Sequence, residues 1–175
     1  MQFDDSVVIR LVEAIRAQYT LGWNGIHGVS HWSRVWENGM RLAEEAGAEA
    51  EVVGLFALFH DARRFNDGRD RGHGKRGAEL AAQWRGELFE LDDESFDLLC
   101  TACEQHTDGQ TEGDVTVQAC WDADRLDLGR VGIIPQPHRL CTEFAQREET
   151  IAWANERAYR EITNPLIMES WVTHA

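Results

Sequence analysis

At 175 residues the chain is long enough to bury one continuous core without disulfides, and one domain over residues 1–175 is the default. A formal net charge of −14 argues against a protein that holds duplex DNA or an anionic membrane through a broad basic face. No apolar run approaches the ~20 residues that cross a bilayer and the N-terminus starts acidic, so a soluble, unprocessed cytoplasmic protein is expected, its oligomeric state left open.

Apolar residues recur at i, i+3, i+4 and i+7 and nothing alternates as a hairpin would, so the predicted fold class is all-α, a compact helical bundle. The first helix is expected from about Asp5 to Tyr19, followed by a Gly-rich loop from Leu21 to Val29. Ser30 is a plausible N-cap for a second helix that carries His31, Arg34, Val35, Asn38 and Leu42 on one face and ends at Gly47. The third, about Ala48 to Ala62, is apolar on nearly all sides and belongs in the core, with His60 and Asp61 at its C-terminal end. The stretch RRFNDGRDRG reads as a loop, and His73 opens the next helix. Asp92 and Asp93 suit the start of a helix closing on QHTDG, where Gly109 takes a left-handed conformation and His106 lies near the C-terminus. Asp114 caps a further helix that contains Asp124 and Asp127 and ends by Gly129. Pro135 and Pro137 forbid ordinary helix, and a final helix is predicted from about Thr142 to Ile162, packing through Phe144, Ile151, Ala154 and Tyr159.

Four cysteines, Cys100, Cys103, Cys120 and Cys141, include only one C-x-x-C and no partner pair. Cys100 and Cys103 lie in an apolar helical run and read as small buried hydrophobes.

The pair His60-Asp61 follows the buried run VVGLFALF. Burying a carboxylate and an imidazole there costs several kcal/mol unless a metal or a tight ion pair compensates. With His31 upstream and Asp124 downstream, two imidazoles and two carboxylates come from three helices, a donor set for a hard or borderline divalent cation: Mg²⁺, Mn²⁺, Fe²⁺ or Zn²⁺.

The order H…HD…D resembles the HD superfamily of metal-dependent phosphohydrolases, with H-x-x-R-V at His31, F-H-D ending at Asp61 and A-D-R-L-D from Ala123 to Asp127. The resemblance spans about residues 27–130 and implies an all-α fold whose helices converge on a metal held by His31, His60, Asp61 and Asp124. His73, in H-G-K-R-G-A-E-L-A, and His106, in Q-H-T-D-G, look like the extra ligands of binuclear members, in which Asp61 would bridge two ions. One or two divalent ions are therefore implied, Co²⁺ included. A frequent form of the motif, H-D-x-G-K, reads H-D-A-R-R here, so Arg64 takes the lysine position, and no G-Y-P follows His106 as in cyclic-dinucleotide phosphodiesterases.

The reaction that this implies is hydrolysis of a small phosphorylated substrate, a nucleotide or another metabolite, by water whose pKa the metal lowers. Asp61 would orient or deprotonate that water, while Arg34, Arg63, Arg64, Lys75 and Arg76 would neutralise phosphate charge, and His27 could touch substrate. Asp122 and Asp127, flanking Asp124, suit supporting hydrogen bonds. Two alternatives stand beside it: a di-iron centre that activates dioxygen, known in a few HD-fold proteins with six such ligands, and a non-catalytic nucleotide-binding module stacking on Trp23, Trp32 and Trp36.

Overall fold

Val52 to Phe59 are buried without interruption, and the helix that carries them, α3 (Ala50–Phe59), is the axis around which the rest is arranged. In the computed structural model, which describes residues 4–172, seven further helices surround it: α1 (Asp5–Gln18), α2 (Val29–Ala46), α4 (His73–Trp84), α5 (Asp93–Gln105), α6 (Val115–Arg125), α7 (Glu148–Tyr159) and α8 (Pro165–Val172). Helices α2, α4, α5 and α6 all pack against α3, and α7 and α8 lie against α2. No strand forms among the described residues; the only pairing of that kind is an isolated bridge between Arg85 and Phe89. An all-α bundle is thus observed.

The caps follow from chemistry legible in the chain. Asp92 accepts from the Ser95 N–H and Asp114 from the Thr116 N–H, starting α5 and α6 where acidic residues precede apolar periodicity. Gly109 is left-handed at φ 75°, four residues beyond the end of α5. Helix α4 approaches α3 and α5 so closely that a Cβ on Gly77 would lie 2.2 Å from the Phe59 oxygen and one on Gly74 2.0 Å from the Cys103 oxygen. Those two glycines bring the start of α4 against the ends of its neighbours.

Three expectations are corrected. Ser30 is not the cap of α2: successive turns, with Gly25 N–H to the Gly22 oxygen and Gly28 N–H to the Gly25 oxygen, lead directly into a helix that starts at Val29, so Ser30 lies inside it. Residues 142–147 are not helical, because the buried Asp122 carboxylate takes the N–H groups of Cys141 and Thr142 and the Thr142 hydroxyl, pinning that segment in another conformation. Burial raises the Asp122 pKa, although those hydrogen bonds from Thr142 and Cys141 favour the ionised form. The final helix is α8, not α7, and Tyr159 is 75% exposed, with Ala158 taking the inward position beside it. Pro137 opens a short 3₁₀ turn, Pro137–Arg139, after another at Leu128–Val131.

No helix among the described residues is long and apolar enough to cross a membrane. All four cysteines are free thiols; Cys103 and Cys120 are fully buried, whereas Cys100 is partly exposed. Tyr19, Trp23 and Trp32 pack edge to face, with ring centroids 5.3 to 5.9 Å apart, so these rings stabilise one another and Trp32 offers no surface for stacking a base.

Candidate metal centre

Five helix ends meet at one point beside α3. The first turn of α2 supplies His31, the C-terminal end of α3 supplies His60 and Asp61, His73 is the first residue of α4, His106 caps α5, and Asp124 stands in the last turn of α6. All are buried except Asp124, whose side chain keeps 16% of its exposure.

Hydrogen bonds assign the histidine tautomers. His60 Nδ1 lies 3.1 Å from the Phe56 carbonyl, His73 Nδ1 2.6 Å from that of Asp70 and His106 Nδ1 2.7 Å from that of Cys103, while His31 Nδ1 is 2.7 Å from Asp127 Oδ2. Carbonyls and carboxylates accept, so each Nδ1 carries the proton and each Nε2 presents a lone pair. Those lone pairs face one another: His31 and His60 Nε2 are 3.1 Å apart, and His73 and His106 Nε2 are 2.9 Å apart. Two such nitrogens repel unless a cation lies between them, and two ligands at ~2.1 Å from one ion, at right angles, stand ~3.0 Å apart. The donors therefore fit divalent metal ions.

Asp61 stands between the two pairs. Its Oδ2 is 3.8 Å from His31 Nε2 and 3.9 Å from His60 Nε2; its Oδ1 is 3.1 Å from His73 Nε2 and 3.9 Å from His106 Nε2. Asp124 Oδ1 joins the first pair only, 3.5 Å from His31 Nε2 and 3.9 Å from His60 Nε2. Three groups are compact enough to hold an ion: His31-His60-Asp124, Asp61-His73-His106, and His27-His31-Asp61, which shares His31 with the first and Asp61 with the second. A family model described as HD domain matches residues 28–129, the span that contains every one of these donors but His27.

The chain belongs to the HD domain family. Over 86% of its length this HD-domain protein is similar in structure to 88% of a crystallised predicted HD superfamily hydrolase from an uncultured Thermotogales bacterium, with a TM-score of 0.65 and 25% identity. No curated protein matches its sequence.

The electrostatics keep His31, His106, Asp61 and Asp124 in ligating form. Burial, then the charges of Arg130 and His60, hold His31 well below the usual imidazole pKa, and burial takes His106 down to about 4. Burial would raise Asp61, but the imidazoles of His60, His27, His73 and His31 outweigh it and hold the carboxyl well below its usual range. Asp124 is likewise lowered against its burial, chiefly by His60, His31 and Arg130. For His73 burial works downward, and the hydrogen bond and charge of Asp61 overcome it to raise the pKa.

The remaining residues named from sequence divide clearly. His27 is buried at the cluster, its Nδ1 2.7 Å from Asp61 Oδ2, and so steadies the carboxylate instead of standing exposed on the loop. Arg34 is spent on Asp127, with Nε 2.6 Å from Oδ1 and Nη2 3.2 Å from Oδ2, and that carboxylate in turn fixes His31. Arg64 turns inward to Asp61 and His73. Arg76 pairs with Asp70 at 2.6 and 2.7 Å and lies over Phe65, while half-buried Arg63 lines a separate shallow groove with it; neither reaches the donors. Lys75 is exposed, and two residues along a helix from His73 puts it ~200° round the axis, facing away.

The sequence places Arg69 and Arg71 in the basic stretch from Arg63 to Arg76 where an anionic substrate would bind, without a role for either alone, and assigns Arg130 none. Arg130 donates from Nε to the Ile26 carbonyl at 2.9 Å and from Nη1 to the Asp127 carbonyl at 3.1 Å, tying the Gly-rich loop to the segment after Asp124. Its partner is 104 residues away in sequence, and no local signal reveals the link. Arg69 and Arg71 are exposed in a cleft of about 590 Å³ that also touches His73, with Glu104, Thr107 and Asp108 on its other wall.

Proposed function

We propose that this HD-domain protein is a metal-dependent phosphohydrolase that cleaves the phosphate ester of a small polar metabolite with water. The observation that carries the reading is the cleft beside His73: Arg69 and Arg71 line it, and neither has a carboxylate partner among the described residues. Two unspent guanidiniums beside a metal-type donor cluster suit a phosphate dianion. The similar crystallised protein, described as a predicted hydrolase, supports hydrolysis as the reaction class. Among the described residues no phenyl, phenol or indole ring lines the cleft, whereas Glu104, Asp108 and Thr107 offer partners for hydroxyl or amino groups. A phosphorylated polyol or amino alcohol therefore suits it better than a nucleotide, whose base needs a stacking surface.

When bound, a divalent ion supplies Lewis acidity toward a phosphoryl oxygen and lowers the pKa of water. His31, His60, Asp61 and Asp124 would hold it, in positions fixed by Asp127, the Phe56 carbonyl and His27. Asp61, kept ionised, accepts a hydrogen bond from the attacking water and orients it, and the His27 Nδ1–H holds Oδ2 in place. Arg69 and Arg71 bind the phosphoryl oxygens from the cleft side and offset the charge that grows on them. The free thiols suit a reducing, cytoplasmic setting.

The test is phosphate release from a panel of polyol phosphates, amino-alcohol phosphates, nucleoside monophosphates and a phosphodiester. Metal-free protein would be reconstituted with Mn²⁺, Mg²⁺, Fe²⁺, Co²⁺ or Zn²⁺, with His60→Ala as control. Turnover that needs metal and disappears in the variant is expected. No hydrolysis of any ester with any ion would end the reading.

A further inference from the structure

The two halves of the centre are not equally open to a cation. Beside His31, His60 and Asp124, Arg34 and Arg130 are both engaged with Asp127. In the half formed by His73, His106 and Asp61 Oδ1, Arg64 Nη1 lies 3.1 Å from His73 Nε2 and 3.2 Å from Asp61 Oδ1. His73 Nδ1–H is committed to the Asp70 carbonyl, so the Arg64 N–H donates into the Nε2 lone pair that a metal would need. The guanidinium thus engages two of the three donor atoms of that half.

It is also held there. Arg64 Nη2 donates to the Gly68 carbonyl at 2.7 Å and Nε to the Asn66 carbonyl at 3.3 Å, and the residue is only 7% exposed. Its own carbonyl accepts from the Thr20 hydroxyl at 3.2 Å. A guanidinium does not deprotonate in proteins, so it cannot yield to a divalent ion by losing its charge; it must swing out, giving up the Gly68 and Asn66 bonds, while the loop that holds it moves. A cation fixed within hydrogen-bond distance of the ligand atoms also repels an incoming ion at close range and low dielectric.

We propose that Arg64 is a resident counter-cation that replaces the second metal, so that this protein binds one ion tightly, at His31, His60, Asp61 and Asp124, and a second only weakly. The proposal rests on the metal-centre reading and goes beyond it: it assigns the stoichiometry, and it gives Arg64 the place of an ion and not that of a phosphate clamp. Arg69 and Arg71 then carry the phosphate alone.

The decisive measurement is Mn²⁺ binding to metal-free protein by calorimetry, with metal content after dialysis determined by mass spectrometry and spin coupling between ions by electron paramagnetic resonance. The wild-type protein is expected to retain one equivalent, with any second bound at least tenfold more weakly and no coupled signal. His73→Ala and His106→Ala are expected to retain that equivalent within about threefold in affinity, whereas His31→Ala loses it. Arg64→Gln and Arg64→Ala are expected to tighten the second equivalent at least tenfold and to produce a coupled signal, which His73→Ala removes again. Circular dichroism checks that the variants are folded; should neither Arg64 variant fold, the wild-type stoichiometry and His73→Ala still decide. Two equivalents of equal affinity in the wild-type protein, or folded Arg64 variants that stay at one, would overturn the proposal. A wild-type protein that binds no ion at all would instead overturn the metal centre itself.

Discussion

The half of the centre around His31 and His60 and the half around His73 and His106 present the same chemistry: two imidazole lone pairs about 3 Å apart, sharing the Asp61 carboxylate. What differs is the charge each has beside it. The first half adds a carboxylate, Asp124, and its nearby arginines are spent on Asp127. The second half adds a cation, Arg64, bonded directly to its donors. Like donor atoms therefore do not make like sites; the next layer of charge decides which of them a metal can enter.

The largest effects should fall on the first half. His31→Ala or His60→Ala is expected to abolish tight metal binding and turnover, while His73→Ala keeps the ion; equal loss in all three would erase the contrast. Next in size are the supports. Asp127→Asn should weaken metal affinity about 10- to 100-fold through His31, measured by competition with a chelator. Arg34→Met should destabilise the metal-free protein by about 3 kcal/mol, because it leaves Asp127 buried with most of its ion pair gone; denaturant unfolding measures this.

A pH series sharpens the comparison within the second half. His106 titrates at about 4 in the folded chain against 6.5 when exposed, so the unfolded state binds the extra proton between those values. Stability of the metal-free protein should fall as pH drops from 6.5 toward 4, by about 3 kcal/mol from this group at ~1.36 kcal/mol per unit. His73, raised by Asp61, contributes in the opposite direction, its stabilisation being present below pH 6.5 and lost as pH rises through the folded value. Thermal melts of His106→Gln should therefore show a shallower acid decline than the wild-type protein; an unchanged slope would contradict the assignment. The smallest effects lie at the rim. Arg69→Ala or Arg71→Ala should lower kcat/KM about tenfold, with part of the loss in kcat, through the loss of one charge-assisted hydrogen bond. Lys75→Ala should leave both within about twofold.

The reach of the sequence was uneven for physical reasons. His31, His60, Asp61 and Asp124 could be read because buried polar residues on apolar helices need a partner, and the motif order supplied one; His73 and His106 were reached through the family resemblance alone. The arginines were not legible, because sequence records a charge and not its partner. Arg34 is claimed by Asp127, 93 residues along the chain, and Arg76 by Asp70 only six before it. His27 escaped for a similar reason, since a loop histidine acquires its role only when the loop folds back to place Nδ1 on Asp61. The non-helical start of the 142–162 stretch depended on a buried aspartate 20 residues upstream, and residue-by-residue periodicity carries no trace of that.

The first helix lies outside the span shared with the family, yet its C-terminal end reaches into the floor of the site. Gln18 donates to the Ala62 carbonyl, Thr20 to that of Arg64 and Tyr19 to that of His27. A gene trimmed to the span that matches the family would thus encode all the candidate ligands but His27 and omit the scaffolding that aligns three of their neighbours. The borders of a homology domain and the borders of a working unit do not coincide here, and drift in the N-terminal segment gives evolution a way to retune the centre without altering a single coordinating residue.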